Sequence, residues 1–173
     1  MKKTLAAAAA ITVVAGVAAL GAGSAQADPG AHDRAASTDT VARIRQAIEP
    51  YEDVKEAVAD GYVRVSDCES SAEGGMGYHY LNPQHVVVGD VVDPTKPTIL
   101  LYGPGTYGGL RLLGAEFWQP ETGQPTPMLG DEPFNGPMPG HGGGMPVHYD
   151  LHVWTHVANP SGVFATWNPN VSC

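Results

Sequence analysis

The sequence predicts an α+β fold in which an N-terminal amphipathic helix packs on a curved, mainly antiparallel β-sheet of five or six strands. Between residues 41 and 62, apolar residues recur at three- and four-residue steps, the spacing of one helical face. After Tyr62 the apolar period changes to two, which is typical of a strand with one buried face. The segments between the candidate strands are too short for helical crossovers, so neighbouring strands should run antiparallel.

Residues 1–27 have the features of a cleaved signal peptide. Two lysines precede an apolar run, and the A-Q-A string at 25–27 supplies small residues at the cleavage site. The run is short for a membrane span, and no basic stop-transfer cluster follows it. We therefore predict a secreted or extracytoplasmic protein without a membrane span after processing. It would have a flexible lead-in at 28–36 and a single globular domain at 37–173.

The predicted helix has capping residues at both ends. Ser37 or Thr38 can accept hydrogen bonds from the amides of the first turn, and Gly61 can adopt the left-handed conformation that ends many helices. Pro50 has no amide proton to donate, so the helix should be kinked there or divided in two. This segment is expected to be scaffold.

Short alternating runs separated by Gly, Pro and Asn predict the strands. They are expected at 62–66, 76–81, 98–102, 110–118 and 147–157, with a sixth short strand at 86–88. A long Pro- and Gly-rich loop at 120–146 shows neither helical nor strand periodicity. Loops of that length in a compact domain are functional or disordered. Its apolar residues favour an ordered loop that lies over the sheet.

Cys68 and Cys173 are the only cysteines in the chain. An even pair in an exported protein predicts a disulfide. It would enclose about a hundred residues, and chain-entropy estimates give such a crosslink about 4–5 kcal/mol of stabilisation. A pair of thiolate ligands for a metal is the alternative.

Acidic residues outnumber basic ones by 18 to 9, and the predicted signal peptide carries two of the nine. Nucleic acid and anionic lipid both attract basic surfaces and repel acidic ones. We therefore expect no nucleic-acid partner. Composition does not identify a small-molecule or protein partner.

The string V-H-Y-D-L-H-V-W-T-H-V at 147–157 alternates without a slip. On a strand this pattern puts His148, Asp150 and His152 on one face and apolar residues on the other. Such side chains are roughly 7 Å apart, so two of them can bind one ion with help from a neighbouring strand. Imidazole and carboxylate groups suit zinc, copper, iron or manganese. The alternative is the polar outer face of an ordinary sheet.

His79 lies in a Y-H-Y string on another expected strand. It would add a third imidazole if that strand lies close to the histidine-rich one; the alternative is a core or edge histidine with ordinary hydrogen bonds. Glu116 is a candidate carboxylate ligand or general base, and His156 is a second catalytic candidate. We predict that His79, His148 and His152 converge on one side of the sheet, with Asp150 or Glu116 completing or orienting the set.

A second candidate metal cluster lies in the long loop. Met138, His141 and Met145 are separated by proline and glycines. Thioether and imidazole ligands suit copper, above all in its reduced form. The alternative is that the methionines pack on apolar surface while the glycines let the backbone turn.

Three functions remain open. The chain has no nucleophile elbow, zincin helix, phosphate-binding loop or dinucleotide fingerprint. The first hypothesis is a small exported metal-binding protein whose histidine-rich face holds one divalent ion, with or without enzymatic use of that ion. The second is a metal-free extracellular ligand- or protein-binding module. The third is a hydrolase or lyase that uses a His–carboxylate pair for acid–base catalysis.

Two strings carry a resemblance to known sequences. G-M-G-Y-H-Y-L-N-P at 75–83 and G-M-P-V-H-Y-D-L-H-V-W at 144–154 resemble motifs of a family of small exported bacterial proteins of uncharacterised function. The likeness extends over most of the chain that follows the signal peptide. It implies a single exported domain and brings no activity, substrate or ligand with it.

Overall fold

The computed structural model describes residues 29–141 and 144–173, and only the backbone of residues 29–36. The predicted signal peptide at 1–27 lies outside the described residues. Within them the fold is α+β, because a helical N-terminal segment is followed by a mostly antiparallel sheet. No helix in this part of the chain has the length and hydropathy that crossing a bilayer requires.

The helical segment has three parts: helix α1 (Pro29–Ile48), a 3₁₀ turn (Glu49–Glu52) and helix α2 (Val54–Ala59). The break at Pro50 agrees with the prediction. The expected start at Ser37 or Thr38 is wrong, because α1 begins at Pro29. Proline is favoured in the first helical turn and the alanines that follow are strong helix formers, so the helix includes most of the expected lead-in at 28–36.

Gly61 ends α2 as predicted. Its φ of 95° is in the left-handed region, which glycine adopts without strain. The amide of Gly61 donates to the carbonyl of Val58, and the amide of Tyr62 donates to the carbonyl of Ala57. These two bonds satisfy carbonyl groups that the end of a helix leaves free.

Nine strands follow. They are β1 (Val63–Arg64), β2 (Glu69–Ser71), β3 (Gly74–Leu81), β4 (Ile99–Pro104), β5 (Leu110–Pro120), β6 (Met128–Leu129), β7 (Glu132–Pro133), β8 (Asn135–Met138) and β9 (His148–Val153). Seven form the main sheet in the order β1-β3-β4-β5-β9-β8, with β2 also paired to β3, and every pair is antiparallel. Strands β6 and β7 form a separate hairpin.

The sheet differs from the predicted one at its edges. It has seven strands rather than five or six, because β2 and β8 join it while the expected strand at 86–88 is not formed. The segment 120–146 is not a structureless loop, since it contains β6, β7 and β8. Strands β2 and β8 have mostly exposed side chains, so they join the sheet through backbone hydrogen bonds without an apolar alternation.

The last strand is shorter than predicted. It ends at Val153 rather than near 157, because the amide of Trp154 donates to the carbonyl of Val163 in the segment that follows, outside the sheet. The alternation of polar and apolar residues therefore runs to 157, whereas the strand itself ends four residues earlier.

The two faces of the main sheet have different roles. One face packs against the helices and carries the larger apolar core, in which Ile44 and Ile48 of α1 are completely buried. On the other face, a smaller apolar cluster lies beside a polar cavity. This cluster consists of Ile99, Leu101, Leu113, Trp154 and Val171.

A disulfide joins Cys68 to Cys173, as predicted. The tail that it holds also pairs with the sheet, since Gly75 and Asn168 exchange two backbone hydrogen bonds of 3.1 Å. Val171 of the same tail is buried in the smaller apolar cluster. The C-terminal segment is thus held by a covalent bond, by backbone pairing and by packing.

Gly77 should not tolerate a side chain. It has a φ of 86° inside β3, and a Cβ atom there would overlap the carbonyl oxygen of Tyr102 on β4. We expect Gly77→Ala to lower the free energy of unfolding by about 1–3 kcal/mol through backbone strain alone. Gly89→Ala is the matched control, because a Cβ at Gly89 meets nothing within 4 Å. Denaturant unfolding that shows the same stability for both variants would contradict this prediction.

Candidate metal centre

His79, Glu116 and His152 lie together on the cavity face of the sheet, and we call them the His–Glu–His cluster. They come from β3, β5 and β9, and Glu116 is directly opposite His152 across the β5–β9 pair. Their ligand atoms all lie within 4.8 Å of one another. The Oε2 atom of Glu116 is 3.4 Å from Nε2 of His79 and 3.8 Å from Nε2 of His152. Three strands therefore bring two imidazoles and a carboxylate to one point.

The cluster is buried without enough hydrogen bonds. All three side chains are buried, and His152 is only 1 % exposed. Oε2 of Glu116 and both ring nitrogens of His152 have no hydrogen-bond partner among the described residues. A buried polar group without a partner costs about 1–3 kcal/mol, so native proteins seldom retain one without a functional reason.

Ser66 orients the ring of His79. Its hydroxyl accepts from the backbone amide of His79 and donates its single proton to the carbonyl of Asp67. The ring atom Nδ1, 2.9 Å from the same hydroxyl, must then be the donor in that contact. A neutral His79 consequently presents the lone pair of Nε2 to the carboxylate oxygen of Glu116. Two acceptors that face each other at this distance require a proton or a cation between them.

Burial shifts the ionisation of the whole cluster. Desolvation, followed by the charge of neighbouring histidines, lowers the pKa of His79 to about 4 and that of His152 to about 3. Both imidazoles are therefore neutral near pH 7, which is the form that binds metal. Desolvation also raises the pKa of Glu116, and the nearby charge of Asp150 adds to this effect. A bound divalent ion would oppose this shift by stabilising the carboxylate.

The cluster opens into a cavity of about 790 Å³, a size typical of small-molecule sites. Apolar side chains form part of its wall, among them Met76, Ile99 and Trp118. Acidic side chains also line it, whereas no lysine or arginine does so within the described residues. A cation that enters this cavity therefore meets no lysine or arginine among the described side chains.

His148 and Asp150 line the same cavity, further along β9. Nε2 of His148 is 3.7 Å from Oδ2 of Asp150, and its Nδ1 is 3.0 Å from the carbonyl of Pro146. The ring of His141 lies edge-on to that of His148, with centroids 5.1 Å apart. The face expected from the alternation is therefore assembled, with Glu116 rather than His148 completing the closest group of three.

His156 lies outside the cavity lining, so the structure does not join this catalytic candidate to the cluster. Its backbone amide donates to the carbonyl of Leu113, and its ring contacts the hydroxyl of Thr155. Desolvation lowers the pKa of His156, and the charge of Arg45 acts in the same direction. His156 lies away from the cluster because β9 ends at Val153, and the residues after that point no longer follow the alternation of a strand.

The residues of the loop cluster expected to suit copper differ in their relation to the cavity. His141 and Met145 line the cavity, whereas Met138 lies on β8, opposite His148 in the strand register, and does not line it. Met145 is 42 % exposed, so it is only partly packed against other residues.

Three residues of the site were not identified from the sequence. Ser66 orients His79, Glu69 has a carboxylate oxygen 3.9 Å from Nδ1 of His79, and Trp118 forms part of the cavity wall. Ser66 precedes β2, and Glu69 is its first residue. Because β2 has no apolar alternation, only its pairing with β3 reveals that these two residues lie near His79. Trp118 lies two residues after Glu116 on β5, so the alternation of a strand places both side chains on one face and predicts its position in the wall.

No protein-family model matches the chain, and neither the curated proteins nor the solved structures contain a significant match. The resemblance to a family of small exported bacterial proteins therefore stays a prediction.

Proposed function

We propose that this protein is an exported metal-binding protein that holds a divalent ion in the His–Glu–His cluster. The ligands are Nε2 of His79, Oε2 of Glu116 and Nε2 of His152. The observation that carries the proposal is the orphaned carboxylate oxygen of Glu116, which faces the ring nitrogens of two buried histidines. A divalent ion satisfies these atoms at once and offsets the buried negative charge.

The distances and the donor types fit such an ion. Bonds of about 2.0–2.2 Å to nitrogen and oxygen allow two ligand atoms of one ion to be as much as about 4 Å apart. The two separations from Glu116, of 3.4 Å and 3.8 Å, are within that limit, and all three ligand atoms lie within 4.8 Å of one another. Two imidazoles and one carboxylate suit zinc, and the same set with open positions suits iron. Manganese and oxidised copper also accept these ligands.

The ion would have positions open toward the cavity. Structural zinc sites are closed by four protein ligands, whereas catalytic sites have three and leave room for water or substrate. The cluster supplies three side chains at the wall of a 790 Å³ cavity. This arrangement favours a small molecule as the partner of the bound ion. It also favours an enzyme that uses the ion in catalysis over a protein that only stores it.

The location proposed for this function is outside the cytoplasm. The signal sequence predicted at 1–27 and the disulfide between Cys68 and Cys173 support export. The acidic composition supports a partner other than nucleic acid.

Metal analysis of the exported protein tests the proposal. Protein purified from an exporting host grown with ample metal should contain at least one divalent ion per chain. A variant that combines His79→Ala with His152→Ala should lose that ion, because the cluster would retain only one ligand. His156→Ala is the matched control and should keep it, since His156 lies outside the cavity lining. Elemental analysis with circular dichroism would establish metal content and folding together.

A different result would support another class of protein. If the wild-type protein neither contains metal nor gains stability from added zinc, manganese, iron or copper, the proposal is wrong. The cavity would then favour a metal-free ligand-binding module.

A further inference from the structure

We propose that the cavity holds a second divalent ion, bound by Nε2 of His148 and the carboxylate of Asp150 and completed by His141. This inference rests on the proposed function and extends it, because the two ions would lie side by side in one cavity. We call these three residues the second site.

The hydrogen bond of His148 determines which of its nitrogens is free. The carbonyl of Pro146 can only accept, so Nδ1 of His148, at 3.0 Å, is the donor. In a neutral ring, Nε2 then carries a lone pair. It lies 3.7 Å from Oδ2 of Asp150, which is beyond hydrogen-bond range and is also an acceptor. The two atoms can both bind one ion through bonds of about 2.0–2.2 Å.

Asp150 is a buried carboxylate that lacks a full set of partners. It is 2 % exposed, and its Oδ1 atom has no hydrogen-bond partner among the described residues. Burial raises the pKa of Asp150, while the nearby His148 and a hydrogen bond from the neutral Asn135 side chain oppose that rise. Since no lysine or arginine lines the described part of the cavity, the charge of Asp150 has no permanent cation beside it. Buried charges in proteins are paired or bind metals.

His141 would supply the third ligand after its exposed side chain turns toward Asp150. Its ring is edge-on to that of His148, with centroids 5.1 Å apart, and the residue is exposed. Its side chain can therefore turn without displacing packed neighbours. It lines the cavity together with His148 and Asp150.

The second site lies beside the first. His141 lies close enough to His79 and His152 for its charge to lower the pKa of both rings. Four histidines and two of the four carboxylates that line the cavity provide enough ligands for two ions.

The competing arrangement is an ion pair between a protonated His148 and Asp150. An imidazolium ring would donate from both nitrogens, to the carbonyl of Pro146 and toward Asp150, and a second ion would not be needed. The two arrangements predict different numbers of bound ions, so metal stoichiometry distinguishes them.

The test is a titration of the metal-stripped, exported protein with Co²⁺ or Zn²⁺, followed by native mass spectrometry. We expect two ions per wild-type chain and one in each of the variants Asp150→Asn and His148→Gln. The ion that remains shows that these variants are folded. His156→Ala should bind two, as the matched control.

Two other outcomes would overturn the inference. One ion in the wild type, bound about 10–100-fold more weakly in Asp150→Asn, would mean that Asp150 only orients the ligands of the first site. This result would leave the proposed function intact. No ion in the wild type would reject the second site and the proposed function together.

Discussion

Glu116→Gln should stabilise the metal-free protein and remove the stabilisation that the ion in the His–Glu–His cluster provides. The glutamine side chain has the same shape, and its NH₂ group can donate to the lone pairs of His79 and His152. Removing the cost of a buried, unpartnered carboxylate should raise the free energy of unfolding by about 1–3 kcal/mol. With metal at a thousand times its dissociation constant, the wild-type protein should gain about 4 kcal/mol from this ion, and the variant should lose that gain.

Denaturant unfolding with a chelator and with added zinc would measure both effects. Glu69→Gln is the control, because Glu69 is a partly exposed carboxylate near the same histidine. Replacing this carboxylate should change the free energy of unfolding by less than about 1 kcal/mol, both with the chelator and with added zinc. If Glu116→Gln destabilises the metal-free protein, Glu116 has a structural role in the absence of metal, contrary to our interpretation.

Removing the disulfide should be the most destabilising change outside the core. The bond joins residues separated by 105 positions, and the chain-entropy estimate for a loop of this size is about 4–5 kcal/mol. We expect the double variant Cys68→Ala, Cys173→Ala to lose about this much free energy of unfolding. Thermal unfolding of oxidised and reduced wild-type protein should show the same change as a lower midpoint.

The double variant provides the control for reduction. A reducing agent should not alter its midpoint, since it has no disulfide to lose. If reduction leaves the wild-type midpoint unchanged, the packing of the C-terminal tail, rather than the crosslink, would be what holds Val171 and its neighbours in place.

The alternation of polar and apolar residues was enough to predict the site face. It placed His148, Asp150 and His152 on one side of β9, and all three line the cavity. A strand pattern states which face a residue occupies but not which strands are neighbours. The sequence could therefore suggest Glu116 as one of two carboxylates, whereas the pairing of β5 with β9 placed it opposite His152.

The parts of the structure that could not be predicted are those that depend on backbone pairing. Strands β2 and β8 have few buried side chains, so their sequences carry little of the apolar pattern from which strands are recognised. Helix α1 begins at Pro29 rather than at Ser37 or Thr38, because the helix propensity of the alanines before Ser37 outweighs its preference for a cap position. For α1 one local preference outweighs another, whereas β2 and β8 form through backbone pairing with β3 and β9, which leaves little trace in their sequences.

The long disulfide also limits what a single proteolytic cut can do to the protein. All ligands proposed here lie between Cys68 and Cys173, within a covalently closed ring of chain. A single cut in any exposed turn of that ring, such as the one that carries the fully exposed Tyr107, opens the chain without separating its pieces. Both fragments remain one molecule, so a nicked protein still contains every ligand of the cavity.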